Sequence, residues 1–157
     1  TYDDAFRLTS VSYSDGQANI SYSYDTNDRV VSVTANGVVK SFTYDSNGNR
    51  LTQTINVDGK TFTIGFGYDS EDRQTQVVYP NNSIAFGSKY SGANSITTTT
   101  DAFGRVKTMS DSQRALVSSA TYHPNGLWSS MMYGNGVQST MTLSPMKWPE
   151  IITVEGR

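Results

Sequence analysis

The sequence predicts an all-β fold of repeated antiparallel hairpins, and three observations predict it. Ten Tyr and thirteen Gly stand among abundant Ser and Thr, while Ala and Leu, which usually build helices, are scarce. A motif of Tyr, Asp, three or four turn formers, Arg and an apolar residue recurs along the chain. Between its copies lie Asn-Gly or Asp-Gly pairs flanked by alternating residues. Such pairs are the strongest short-range hairpin signal, because both central residues of a type I′ turn need positive φ.

The elements follow in chain order. "YDDAFRL" opens the series with Tyr2, Asp3 and Arg7, and a turn is expected at Asp15-Gly16. The next stretch alternates, with Ile20, Tyr22 and Tyr24 on one face and Asn19, Ser21 and Ser23 on the other. It leads into "YDTNDRV", with Tyr24, Asp25 and Arg29, and then a turn at Asn36-Gly37. The third copy, "YDSNGNRL", carries Tyr44, Asp45, Gly48 and Arg50, followed by Asp58-Gly59. Phe62, Ile64, Phe66 and Tyr68 then share a face opposite Thr61, Thr63, Gly65 and Gly67. The fourth, "YDSEDRQ", has Tyr68, Asp69 and Arg73, with a turn expected at Asn81-Asn82. "TDAFGRV" supplies Asp101, Gly104 and Arg105, and "YHPNGLW" from Tyr122 is a degenerate copy followed by Asn135-Gly136. The best helix candidate, "DSQRALVSSA" from Asp111, is short, lacks an amphipathic repeat and runs into a strand-like end.

Steps of 22, 20, 24, 32 and 22 residues separate the copies starting at Tyr2, Tyr24, Tyr44, Tyr68, Thr100 and Tyr122. A period near two dozen suits stacked hairpins, two strands and two turns each, so residues 1–157 read as a single region of about six repeat units.

Within each copy the residue types have structural tasks. The tyrosine closes the apolar face, and rings in register would form a ladder through Tyr2, Tyr24, Tyr44 and Tyr68. The aspartate can accept a backbone N–H about two residues on and so fix the turn. Asn27, Asn47-Gly48 and Gly104 offer positions tolerant of positive φ. The arginine is placed to pair with an aspartate or to lie over a ring. The extra residue before Arg50 predicts a wider corner or a bulge.

Other chemistry is poorly supported. "DSNGN" at Asp45 to Asn49 has the oxygen-rich look of a calcium loop, but the twelfth position falls on Asn56 with no helix beside it. Corner carboxylates are spread evenly, whereas glycosidic acid/base chemistry needs one convergent pair. His123, the only histidine, occupies an aspartate slot and reads as a turn residue. Trp128, Trp148, Met131 and Met132 read as packing or capping residues. The sequons at Asn19 and Asn81 matter only in a eukaryotic secreted protein. No Cys is present, 17% of residues are charged and the net charge is −2, so disulfides, thiolate chemistry and a nucleic-acid footprint have no basis. No apolar stretch approaches a membrane span. These residues imply no catalytic group, cofactor or metal. The chain starts at Thr1 inside the pattern and reads as a piece of something longer.

The series "YDTNDRV", "YDSNGNRL", "YDSEDRQ" and "DAFGRV", with "YGNGV" at Tyr133 to Val137, resembles the YD repeat of Rhs proteins, of the C components of bacterial insecticidal toxin complexes and of teneurins. The resemblance implies a coiling sheet that forms a segment of a hollow β-shell. It implies a non-enzymatic role enclosing a toxin or effector domain or, alternatively, adhesion to a carbohydrate or cell-surface receptor. It further implies a secreted or cell-surface location. The partners would be the rest of the parent chain and an enclosed domain, with open strand edges favouring self-association of the fragment. The self-cleaving Asp-Pro-x-Gly-Leu segment of Rhs-type cores has its nearest match in "HPNGL" at His123 to Leu127, where His replaces the aspartate, so autoproteolysis is not implied here.

Overall fold

The computed structural model describes residues 1–80 and 95–156, and these fall into two compact units, Thr1–Tyr68 and Asp69–Arg157. The first unit contains β1 (Ser10–Val11), β2 (Ile20–Tyr24), β3 (Val30–Ala35), β4 (Val38–Tyr44), β5 (Arg50–Val57) and β6 (Lys60–Tyr68). Each strand pairs antiparallel with its chain neighbours, so the unit is an up-and-down meander. The second unit repeats the plan with β7 (Gln74–Val78), β8 (Ser95–Thr100), β9 (Val106–Asp111), β10 (Ala115–Tyr122), β11 (Trp128–Tyr133), β12 (Gln138–Leu143) and β13 (Pro149–Glu155). The described residues are therefore all β. The helix candidate at Asp111 is instead the end of β9, a tight connection and the start of β10, because the Asp111 carboxylate accepts the Gln113 and Arg114 N–H groups and turns the chain there.

From β2 to β6 two kinds of connection alternate. At Asn36-Gly37 and Asp58-Gly59 both residues have positive φ, 49° and 75°, then 50° and 72°. The flanking pairs Ala35↔Val38 and Val57↔Lys60 close two-residue turns of the expected kind. Asp15-Gly16 departs from this expectation. Only Gly16 is left-handed, and the first cross-strand pair is Val11↔Ile20, so the connection is a long loop. Asn135-Gly136 also departs: Tyr133 N–H donates to Val137 C=O at 2.8 Å and Gly136 N–H to Tyr133 C=O at 3.0 Å. That is a three-residue loop, the second kind of connection. The turn expected at Asn81-Asn82, with its sequon, lies outside the described residues.

The three-residue loop is a type I turn closed by a left-handed fourth residue. That residue is Phe6, Asp28, Gly48, Asp72, Gly104, Gly126, Gly136 or Lys147 in the eight corners. Gly48 and Gly104 therefore carry the positive φ in their copies, while in the second copy it falls on Asp28, one place after Asn27. At Gly134 a side chain is excluded for another reason: a Cβ there would collide with the Ala115 carbonyl of the neighbouring strand.

One face of the first unit carries hydroxyls paired across strands, with Thr43 to Thr52 at 2.6 Å and Thr54 to Thr63 at 2.9 Å. The other carries Phe62, Ile64 and Phe66, half-buried as the alternation predicts. No enclosed core forms among the described residues. Among the described residues only Ala120, Met141 and Ser139 are buried, and no large side chain is fully so. Such sheets are held by backbone ladders, cross-strand pairs and their corners.

Because the corner geometry demands left-handed backbone, Gly48→Ala should lower stability by about 1–2 kcal/mol although nothing lies within 4 Å of the added carbon. Lys147→Gly, at φ 64°, should raise it by up to about 1 kcal/mol. Urea unfolding midpoints moving in these opposite directions would verify the corner; equal destabilisation by both would contradict it.

Candidate functional site

The repeated corner is where the sequence concentrates its charged and aromatic residues. Asp25 shows how it is built. Its N–H donates to the Arg29 carbonyl at 2.9 Å, and Asp28 N–H returns to the Asp25 carbonyl at 3.2 Å. One carboxylate oxygen accepts the N–H of Asn27 at 2.9 Å and of Arg29 at 3.0 Å, while the other accepts Arg29 Nε at 2.7 Å. The same set recurs at Asp3 with Ala5 and Arg7, at Asp69 with Glu71 and Arg73, and at Asp101 with Phe103 and Arg105. The lock thus satisfies donors two and four residues on as well as the arginine.

The arginine does more than close its own corner. Arg29 lies over the Tyr44 ring, 4.7 Å from its centre, and its Nη1 donates to the Asp45 carbonyl at 2.8 Å. Arg7 does the same to Tyr24, at 4.9 Å, and to the Asp25 carbonyl at 3.3 Å. Arg105 lies 4.5 Å from the Tyr122 ring centre. Tyr24, Tyr44 and Tyr122 therefore each meet a guanidinium from an earlier corner, where the sequence suggested a ladder of ring on ring. Tyrosine hydroxyls add a second tie: Tyr24 donates to Leu8 C=O at 2.7 Å, Tyr44 to Val30 at 2.8 Å, Tyr68 to Arg50 at 3.0 Å and Tyr122 to Val106 at 2.7 Å. Tyr2 bridges only Leu8 and stays 69% exposed. Arg73 has Thr100 where the next tyrosine would stand, and it packs instead against Gly104.

The third copy corrects the sequence alignment. Asp45 N–H donates to Asn49 C=O at 3.0 Å, and its carboxylate accepts the N–H of Asn47 and of Asn49, then Asn49 Nδ2 at 3.0 Å. Asn49 thus fills the arginine slot and the corner is no wider than the others. Arg50 occupies the place that Val30 holds in the second copy, opposite Tyr44 as Val30 is opposite Tyr24. A one-residue bulge does follow Arg50, but it recurs after Val30, Val106, Trp128 and Pro149. Arg50 lies between Phe42 and Phe66, 5.9 and 4.9 Å from their centres.

Three of the eight corners, those opening at His123, Tyr133 and Ser144, lack the aspartate, and another side-chain oxygen accepts a backbone donor in each. His123 N–H donates to Leu127 C=O at 2.7 Å, and Asn125 Oδ1 accepts Leu127 N–H at 3.2 Å. The His123 ring bonds through Nε2 with the Met141 carbonyl at 2.8 Å, a turn residue tied to a neighbouring strand. A seventh corner of the Asp series, Ser144 to Trp148, escaped the sequence reading; there Ser144 Oγ accepts Trp148 N–H at 3.3 Å. Pro145 was its signal, since proline favours the second position of a type I turn. Trp148 in the arginine slot is 70% exposed, unlike Trp128, Met131 and Met132, which are half-buried.

The carboxyls respond to these donors. At Asp69 and Asp101 the guanidinium of the corner's own arginine, helped by backbone N–H bonds, holds the carboxyl below its ordinary 3.8 against partial burial. At Asp3 the Arg7 N–H leads. At Asp25 and Asp45 burial is the largest influence and pushes upward, but the combined hydrogen bonds still lower the carboxyl. Groups depressed in the folded state contribute stability above 3.8 that disappears as pH falls through their folded values. The melting temperature should therefore hold steady down to about pH 5 and fall steeply below the ordinary carboxyl range. A melting temperature that rises on acidification would refute the lock. Tyr44→Phe, which removes only the bond to Val30, should cost about 0.5–1.5 kcal/mol in urea unfolding.

The family model described as RHS Repeat matches residues 24–61 and 44–84. None of the curated protein sequences matches the chain. Among solved structures, a crystal structure of TcdB2-TccC3-TEV aligns with 96% of this chain and 11% of its own, at 11% identity and a TM-score of 0.41. The Photorhabdus luminescens Tc holotoxin pore with a TccC3 variant aligns with 96% and 10%, at 12% identity and 0.39. The chain spans about a tenth of the length of these solved chains. Residues 24–84, with their Tyr-Asp corners, thus carry the RHS repeat.

Proposed function

We propose that residues 1–157 form one structural repeat region in the wall of a larger secreted RHS shell that encloses a toxin or effector domain. The observation that carries this reading is the use of the corner carboxylates: Asp3, Asp25, Asp45, Asp69 and Asp101 each engage donors within their own corner. Groups occupied in this way hold backbone rather than turn over substrate, so the region acts without catalysis. The sparse burial fits the same role, because a wall one sheet thick gains its cover from what lies on either side. Limited proteolysis of the longer parent chain tests it. The enclosed domain should resist protease and become cleavable when Asp25, Asp69 and Asp101 are replaced by Ala. A domain equally accessible before and after these changes would remove the shell role.

A second reading, adhesion to glycans or a surface receptor, is favoured by the exposed rings at corner tips, Phe6 at 88% and Phe103 at 82%. On a glycan array, Phe6→Ala and Phe103→Ala should abolish binding with unchanged melting if adhesion is the role. Tyr44→Ala and Tyr68→Ala should instead lower melting if those rings serve architecture.

A further inference from the structure

The sequence contains four Asn-Gly steps, at residues 36–37, 47–48, 125–126 and 135–136. This dipeptide is chemically labile. The glycine backbone nitrogen, on losing its proton, attacks the asparagine Cγ; the N–Cγ bond forms, the Cγ–Nδ2 bond breaks and ammonia leaves. Water then opens the cyclic imide at one of two carbonyls, giving aspartate or isoaspartate. The reaction needs a glycine N–H that is not held and a carboxamide free to swing round.

Three of the four steps lie in three-residue corners that hold the glycine N–H, and two of these corners hold the carboxamide as well. Gly48, Gly126 and Gly136 donate their N–H to Asp45, His123 and Tyr133 carbonyls at 3.3, 2.9 and 3.0 Å. Asn125 and Asn135 accept Leu127 and Val137 N–H through Oδ1 at 3.2 and 3.1 Å, and Asn47 is held by the Asp45 carboxylate through its N–H at 2.9 Å. Asn36-Gly37 is the exception. It forms the exposed two-residue turn between β3 and β4, and among the described residues neither the Gly37 N–H nor the Asn36 carboxamide has a hydrogen-bond partner.

We infer that Asn36 is the deamidation site of this protein, with the corner asparagines protected by the hydrogen bonds that shape their loops. The two products differ in effect. Aspartate preserves the turn, as Asp58-Gly59 shows at the equivalent place between β5 and β6. Isoaspartate adds a main-chain atom to a loop whose two residues set the Ala35↔Val38 register, and so loosens the hairpin end.

Peptide mapping by mass spectrometry after incubation in mildly alkaline buffer tests the inference. Asn36 should convert roughly tenfold faster than Asn47, Asn125 or Asn135, the factor expected when a single hydrogen bond restrains the reacting groups. In guanidinium chloride the four rates should converge. In Asp45→Ala, Asn47 should accelerate while Asn36 keeps its rate; if that variant unfolds, all four sites will match the guanidinium rates and the native ranking decides. A corner asparagine that converts as fast as Asn36 in the native protein, or a native ranking that persists in guanidinium, would overturn the assignment.

Discussion

The carboxylate that accepts the N–H groups two and four residues ahead is the constraint on which the rest of this structure depends. A type I turn followed by a left-handed residue leaves backbone donors pointing into the loop, and an aspartate at the first position satisfies them from within. Once Asp25 fixes Asn27 and Arg29, the arginine side chain leaves the corner in one direction, toward Tyr44. Loop closure and the contact between consecutive hairpins are thereby set by a single side chain. The lowered carboxyls express the same arrangement electrostatically, since the donors that shape the loop favour the ionised form.

Stability in such a sheet is local. With so few buried side chains among the described residues, no central core there gathers the contributions of distant strands. The hairpins instead contribute their ladders together with hydroxyl pairs such as Thr43 with Thr52, tyrosine ties such as Tyr44 to Val30, and guanidiniums over rings such as Arg29 over Tyr44. Exposed ion pairs such as Arg7 with Asp28, whose side chain is 73% accessible, add little to this.

Much of this was legible in the residues because the signals are short-range. The Tyr-Asp series and the pairs Asn36-Gly37 and Asp58-Gly59 specify loops through local backbone needs, and the alternation of Phe62, Ile64 and Phe66 specifies a face through burial. What escaped depends on geometry that a string of letters does not carry. Asn49 and Arg50 compete for one slot, and only the count of residues in the loop decides between them. Asn135-Gly136 looks like a two-residue turn until Tyr133 is seen to close the loop on Val137. The Ser144 corner keeps the shape with none of the usual letters, and the tyrosines face guanidiniums because arginine direction depends on the corner behind it.

The slip at Asn49 matters beyond its own loop. In the first unit the relay runs from Arg7 to Tyr24 and from Arg29 to Tyr44, each guanidinium also holding the next aspartate's carbonyl. At Asn49 the shorter amide ends inside its own corner, and Arg50 turns to Phe42 and Phe66. Considered as a zipper, the unit has a missing tooth on its corner side between β5 and β6, where Tyr68 meets no guanidinium from the Asn49 corner and backbone pairing with the Tyr68 bond to Arg50 continues the seam. A tear that starts at β6 has one less fastening to break at that seam than a tear that starts at β1 meets at the seams before it.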